Sequence, residues 1–139
     1  MKNSFGILLF VLIAGCSPKV DVDKLPKLNG YWEIEKVVFP DGSTKTYEVN
    51  ASVDFIQING KEGFRKKMQP QFDGSFRTSD DAERFTVIDK SGILIMSYAN
   101  AEQTWEETLV ALLDDQFEVV NQAGISYHYK RYQPLNLNQ

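Results

Sequence analysis

Cysteine and histidine are almost missing from this sequence: its 139 residues include one Cys, Cys16, and one His, His128. A single Cys excludes an internal disulfide framework and a zinc site built on pairs of Cys. A single His excludes a metal site or a catalytic pair that takes two His from the same chain. We therefore expect no metal and no cofactor, and we expect that the protein is not an enzyme.

Basic residues are outnumbered by acidic ones. The chain has 15 Lys and Arg against 19 Asp and Glu, a formal net charge of −4, which disfavours a nucleic-acid-binding protein. Apolar residues make up 42% of the chain and charged residues 24%, a composition that favours a folded domain over a disordered segment. The length predicts about one domain.

Long apolar stretches are limited to residues 5–14 (FGILLFVLIA), which follow the basic Lys2. Ten residues are too few to cross a hydrocarbon core, which takes about 20 helical residues, but they match the apolar region of a secretory signal peptide. The small residues Ala14 and Gly15, and then Cys16, come directly after this stretch. The arrangement resembles the lipobox of bacterial lipoproteins; the alternative is an ordinary secretory signal with an unrelated free Cys.

The lipobox resemblance implies that residues 1–15 are a signal peptide and that Cys16 becomes the first residue, carrying acyl chains such as palmitate. Three acyl chains anchor a protein firmly, whereas one binds only marginally. The protein is then expected in the bacterial cell envelope, and Ser17 implies the outer membrane, on either its periplasmic or its surface side. Residues 16–27, rich in Pro, Lys and Asp, are predicted to be a solvated tether, with an edge strand at residues 20–22 as the alternative.

Residues 28–139 are predicted to form the folded domain, and their pattern is that of an all-β fold. Gly, Asn and Asp, which favour tight turns, recur at close intervals, and runs rich in Tyr, Phe, Val and Ile lie between them. The predicted strands are residues 31–39, 53–58, 64–71, 85–88, 93–99, 104–113, 116–120 and 125–132, with shorter candidates at 45–49 and 75–78. Eight to ten short strands without a helical crossover favour an antiparallel sandwich or barrel.

One segment, residues 101–113, is ambiguous between strand and helix. Its composition favours a helix, and Trp105, Leu109 and Leu112 are spaced like one face of a helix. In a strand, Trp105 and Leu109 again share a face, but Glu107 then falls between them on that apolar face. We favour a strand because the segment leads directly into two further hairpin-linked runs, which fits a meander.

The first and last predicted strands carry a family signature. Gly30 and Trp32 form a Gly-x-Trp motif just after the tether, and Arg131 lies beside Lys130 near the end of the last strand. This arrangement resembles the lipocalin-like barrels, and the domain is similar to the short lipocalin-like lipoproteins of Bacteroidetes-type bacteria. The resemblance implies an antiparallel up-and-down β-barrel in which Trp32 plugs the closed end. Arg131, or alternatively Lys130, is then expected to lie across the indole ring.

The lipocalin-like resemblance also implies a function. An eight-stranded barrel can hold one small ligand or be filled by its own side chains. We expect a lipid-anchored envelope protein that binds a small hydrophobic or amphipathic ligand. The candidate ligand contacts are Tyr98, Tyr127, Tyr129 and Met96, since a phenol combines an apolar ring with a polar group. The alternative is a non-catalytic structural or interaction lipoprotein with a filled barrel.

The remaining charged groups give weaker indications of function. His128 alternates with Tyr127 and Tyr129, and we place it on the outer face of the last strand. Three adjacent acid pairs are candidates for carboxylate catalysis or Ca²⁺ binding: Asp80-Asp81, Glu106-Glu107 and Asp114-Asp115. We expect neither, because neighbours on a strand face opposite sides and cannot converge, and pairs at turns are expected to cap the turn or to be solvated. A basic cluster is expected to be a solvated hairpin, with contact to anionic lipid headgroups as the alternative; it consists of Lys61, Arg65, Lys66 and Lys67.

Overall fold

Residues 19–134 are described in the computed structural model of the chain, apart from the side chains of residues 79 and 80. The predicted signal peptide and Cys16 lie outside the described residues, so both remain predictions. Between residues 19 and 134, no helix combines the length and the apolar character needed to span a bilayer.

The described chain consists almost entirely of strands. A 3₁₀ helix, Val22–Leu28, comes first. The strands that follow are β1 (Gly30–Val38), β2 (Thr44–Thr46), β3 (Val53–Asn59), β4 (Glu62–Pro70), β5 (Phe76–Lys90), β6 (Ile93–Ala99), β7 (Thr104–Leu112), β8 (Gln116–Asn121) and β9 (Ser126–Arg131).

The strands form one antiparallel sheet that closes on itself. Its order is β2-β1-β3-β4-β5-β6-β7-β8-β9. Strand β1 also pairs with β9, from Trp32 opposite Arg131 to Val38 opposite Ser126. This pairing closes β1 and β3 to β9 into an eight-stranded barrel, and the short β2 flanks β1 outside the closure. The predicted antiparallel up-and-down barrel is confirmed.

The ambiguous segment is strand β7, as predicted. Its pairing with β8 shifts register between Leu109 and Ala111, which marks a β-bulge. The bulge lets both Leu109 and Leu112 face the core, where they are 2% and 5% exposed. The helix-like spacing of these residues therefore comes from an irregular strand.

The 3₁₀ helix closes one end of the barrel. Leu25 and Leu28 of this helix are buried, and Trp32 Nε1 donates a hydrogen bond to the Leu28 carbonyl oxygen at 2.8 Å. The indole packs edge-on against Phe117, with the ring centroids 4.7 Å apart. The prediction of a solvated tether was therefore wrong for residues 22–27, because burial of Leu25, and of Leu28 directly after them, packs this segment against the barrel core.

Arg131 joins the closed end to the 3₁₀ helix. Its guanidinium carbon lies 3.8 Å from the centroid of the Trp32 ring, the arrangement that the lipocalin-like resemblance implies. The same side chain donates hydrogen bonds to three backbone carbonyl oxygens, those of Asp114 (2.9 Å), Asn29 (2.6 Å) and Lys27 (2.6 Å). Lys130, the alternative partner of the indole, instead forms an ion pair with Glu33 at 3.4 Å.

Candidate functional site

The open end of the barrel, opposite the 3₁₀ helix, contains a cavity of about 910 Å³, a size typical of small-molecule sites. Strands β3, β4, β5, β7, β8 and β9 contribute to its walls. The lining residues are Asp54, Arg65, Lys67, Asp81, Ala82, Glu83, Asn100, Trp105, Glu106, Glu107, Asn121, Gln122, Ala123, Tyr127 and Tyr129. The barrel therefore has an apolar, filled closed half and, in its open half, a cavity lined by charged and polar residues together with aromatic rings.

Strand alternation places charged residues inside the barrel. Asp54 stands two residues before Ile56 on the inward face of β3, and both side chains are buried. Arg65 lies opposite Ile56, on the neighbouring strand β4. Glu107 of β7 stands two residues before the buried Leu109. These charged side chains continue, toward the open end, the same faces that form the apolar core below.

An ion-pair network built on Asp54 forms part of the cavity wall. Arg65 Nη2 lies 2.9 Å from Asp54 Oδ2, and Lys67 Nζ lies 2.8 Å from Asp54 Oδ1. Asp54 and Arg65 are only 3% and 8% exposed. Burial alone would raise the pKa of Asp54, but the charges and hydrogen bonds of Arg65 and Lys67 outweigh it and hold that pKa below its ordinary value.

A stack of side chains connects this network to the closed end. The Arg65 guanidinium carbon lies 4.8 Å from the Tyr129 ring centroid, and Tyr129 stacks in parallel on Phe117 at 4.6 Å. Phe117 in turn contacts Trp32, which Arg131 covers. The stack therefore has an arginine at each end, and its aromatic rings fix Arg65 in place at the cavity.

Glu107 is the carboxyl group of the cavity whose environment is least favourable for a charge. Burial is the largest effect that raises its pKa above the ordinary value, and the carboxylates of Asp54 and Glu83 add to it, while Arg65 and Lys67 oppose it. The Glu107 side chain forms no hydrogen bond and no salt bridge with residues 19–134. An unpaired and partly buried carboxyl group in a cavity is a candidate for contact with a ligand.

The four predicted ligand contacts divide into two pairs. Tyr127 and Tyr129 line the cavity. Met96 and Tyr98 do not, because they are 0% and 1% exposed in the core of the barrel. Tyr98 supports the site indirectly: its ring stacks in parallel on Trp105 at 5.2 Å, and Trp105 is a lining residue.

The predicted basic cluster does not form a single surface. Arg65 is buried inside the barrel, Lys67 reaches the cavity and Lys66 occupies the intervening position on β4. Lys61 lies in the β3–β4 turn. The expectation of a solvated hairpin was wrong for Arg65, because strand alternation turns this residue inward, where Asp54 pairs with it.

Sequence reasoning also missed the carboxyl groups of the site. Asp54 precedes the inward-facing Ile56 and Ile58 at strand spacing, and Glu107 interrupts the apolar alternation between Trp105 and Leu109. Each is a charged residue at a position that the pattern assigns to the core, and this mismatch was the available signal. Burial of such a group requires a compensating partner or a functional reason.

His128 lies away from the cavity. Its Nε2 atom is 3.5 Å from Glu118 Oε1, and both side chains are about three-quarters buried. Among residues 19–134, no three His, Cys, Asp or Glu side chains come together in a way that could hold a metal ion.

The closed, Trp-plugged end, the up-and-down strand order and the open cavity define a lipocalin-like barrel. Three solved structures are similar to the chain in fold. A lipocalin-like protein from Bacteroides uniformis has a TM-score of 0.48 and 10% identity, covering 76% of this chain and 99% of that one. Lobster apocrustacyanin A1 has a TM-score of 0.43 and 13% identity, covering 87% of this chain and 74% of that one. Apocrustacyanin C1 has a TM-score of 0.46 and 12% identity, with the same coverage.

No protein-family model matches the sequence, and the comparison with curated proteins gave no match.

Proposed function

We propose that the chain is a lipid-anchored protein of the bacterial envelope whose barrel binds a small amphipathic ligand without transforming it. The observation that carries this proposal is the cavity of about 910 Å³ at the open end of the barrel. Its wall includes Arg65 and Tyr129, which the aromatic stack holds in place. A site whose groups are fixed before the ligand arrives loses less entropy on binding.

The lining favours an amphipathic ligand over a purely hydrophobic one. Trp105, Tyr127 and Tyr129 offer aromatic surface for an apolar body. The same walls carry Asp54, Glu107 and other charged groups that a hydrocarbon would desolvate without replacing their contacts with water. A ligand with one apolar part and one polar group meets both requirements.

The anchoring part of the proposal rests on the lipobox resemblance at Cys16. Lys19, the first described residue, lies beside Gly92 in the β5–β6 turn, near the closed end. Three residue steps from Cys16 to Lys19 span at most about 11 Å. An acylated Cys16 would therefore hold the closed end close to the bilayer, and the open end would face the aqueous phase.

Mass spectrometry tests the anchor. The chain isolated from bacterial membranes is expected to begin at Cys16 and to carry the mass of added acyl chains, and the Cys16→Ser variant is expected to lose both features. A chain that begins at another residue, or that carries an unmodified Cys16, would contradict the anchoring proposal.

Titration of the full chain in lipid nanodiscs with small phenyl compounds tests the ligand site, with empty nanodiscs as the control for binding to lipid. Because Trp105 lines the cavity, we expect ligand binding to change its fluorescence. The Trp105→Phe variant should lose this signal and retain most of the binding heat. Absence of saturable binding for any probe would contradict the ligand-binding proposal.

A second candidate function is an interaction module, and one observation favours it. Five aromatic side chains, none of which lines the cavity, contact one another: Tyr31 stacks on Phe76 at 4.8 Å and also contacts Phe55, while Phe55 contacts Phe64 and Phe76 contacts Tyr132. All five are partly exposed. The Phe55→Ser substitution would abolish the binding of a protein partner that covers this cluster. Binding of a small ligand in the cavity would not change.

A further inference from the structure

The charges of the cavity are unbalanced. Its lining includes two cationic residues and four carboxyl residues at inward-facing positions, a formal charge of −2. Glu106 also borders the cavity, but its side chain faces outward, because Glu107 beside it on β7 faces inward. Both cations, Arg65 and Lys67, are paired with the same carboxylate, Asp54. The other three inward-facing carboxyl groups form no salt bridge with any residue from 19 to 134; they are Asp81, Glu83 and Glu107.

Glu107 is the most enclosed of these three groups. It belongs to the inward face of β7, whereas Asp81 and Glu83 are exposed at the rim of the cavity. The raised pKa of Glu107 follows from burial and from its carboxylate neighbours. A positive charge placed beside Glu107 would lower the free energy of its ionised form.

Aromatic rings lie along the same wall. Trp105 stands two residues before Glu107 on β7, and Tyr127 also lines the cavity. The parallel stack of Trp105 on Tyr98 holds the indole in one orientation. Indole and phenol rings attract cations through their negative faces, and the attraction is stronger where water is partly excluded.

We propose that the ligand of the cavity is a cationic amphiphile, in which an ammonium group sits beside Glu107 and an aromatic or aliphatic body lies against Trp105 and Tyr127. This inference rests on the proposed ligand-binding function and adds the charge of the ligand. Two independent observations carry it: the surplus of unpaired carboxyl groups and the aromatic wall of the same cavity.

An anionic ligand is the main alternative, because Arg65 and Lys67 also line the cavity. To bind it, Arg65 would have to give up the pair with Asp54 at 2.9 Å. Asp54 is 3% exposed, so the exchange would leave a buried carboxylate with a weaker partner, which is strongly unfavourable. A cation requires no such exchange.

Three phenyl compounds of similar size that differ in charge test the inference: 2-phenylethylamine, 2-phenylethanol and 3-phenylpropionate. Each is titrated into the full chain in lipid nanodiscs at neutral pH and low salt, with heat and Trp fluorescence as readouts. We expect the amine to bind about tenfold more tightly than the carboxylate, with the alcohol between them.

The Glu107→Gln variant locates the ammonium group, because it keeps the shape of the side chain and removes its charge. We expect it to weaken amine binding about fivefold and to leave alcohol binding unchanged. Glu62→Gln, at the β3–β4 turn by the closed end, is the matched control and should leave all three affinities unchanged. Circular dichroism verifies that both variants are folded.

The remaining outcomes are distinguishable. Tighter binding of the carboxylate or of the alcohol, or an unchanged amine affinity in Glu107→Gln, would overturn the cationic ligand while the ligand-binding function stands. If none of the three compounds binds to the wild-type chain, both the inference and the proposed function fail.

Discussion

Arg131 lies over Trp32, with its guanidinium carbon 3.8 Å from the ring centroid and its three nitrogens hydrogen-bonded to carbonyl oxygens of the surrounding backbone. One side chain thus covers the indole and also ties the 3₁₀ helix and the β7–β8 turn to strand β9. Guanidinium suits this position because its planar fork can stack and donate in several directions at once.

We expect Arg131→Lys to destabilise the barrel by about 2 kcal/mol, because an ammonium group cannot stack flat on the indole or reach all three carbonyl oxygens. Urea denaturation followed by Trp fluorescence measures the change. Arg84→Lys, at an exposed position of β5, is the control and should alter stability by less than about 0.5 kcal/mol. Equal effects of the two substitutions would show that the Arg131 contacts contribute little.

Gly30 is required at its position for two reasons. Its φ is +124°, and a Cβ atom there would lie 2.6 Å from Arg131 Nη1. We expect Gly30→Ala to destabilise the fold by about 2–4 kcal/mol, from backbone strain and displacement of the guanidinium. Thermal unfolding measures this loss.

Gly60→Ala provides a matched control for Gly30→Ala. Gly60 also has a positive φ, +62°, but a Cβ atom there meets nothing within 4 Å. This substitution should therefore show the backbone strain alone, about 1 kcal/mol. If the two variants lose the same stability, the contact with Arg131 has no energetic role.

Asp54 is expected to be the most sensitive charged residue in the chain. Asp54→Ala leaves Arg65 as a buried cation without its partner and should cost about 3–5 kcal/mol. The double variant Asp54→Leu with Arg65→Met removes both charges and should recover most of this loss. Urea denaturation of the three proteins measures both effects, and a double variant as unstable as the single one would contradict the account.

The pKa of Asp54 also predicts a dependence of stability on pH. Because that pKa is lowered in the folded state, the pair stabilises the fold above the ordinary Asp pKa of about 3.9. This contribution is lost as the pH falls through the folded-state pKa. The wild-type chain should therefore lose more stability than the double variant between about pH 5 and pH 2.

The barrel was predictable from this sequence because its signals are local. Turn residues at short intervals and alternating apolar runs set the strands, and Gly30 with Trp32 marked the closed end. The cavity was less predictable, since it depends on which strands close against each other. Asp54 and Lys67 meet only because β3 and β4 pair in one register, and the alternation of a single strand does not reveal the partner of a buried charge.

The bulge in β7 is a second feature that depends on strand pairing and that the sequence of one segment does not reveal. Leu109 and Leu112 both point into the core, and their spacing of three residues is typical of a helix. A register shift of one residue produces the same spacing in a strand. Only the pairing with β8 distinguishes the two, and this information lies outside the segment.

Glu107 yields the final prediction, because its pKa shift has the opposite sign to that of Asp54. Burial raises the pKa of Glu107 in the folded state, so the ionised carboxylate opposes folding at neutral pH. Glu107→Gln should therefore raise the melting temperature at pH 7. The gain should disappear below about pH 4, where Glu is protonated in both the folded and the unfolded chain. Thermal melts of the ligand-free chain at both pH values check this, with Glu62→Gln as the control. A stabilisation that persists at low pH would mean that the amide packs better than the carboxyl group, and it would contradict the electrostatic explanation.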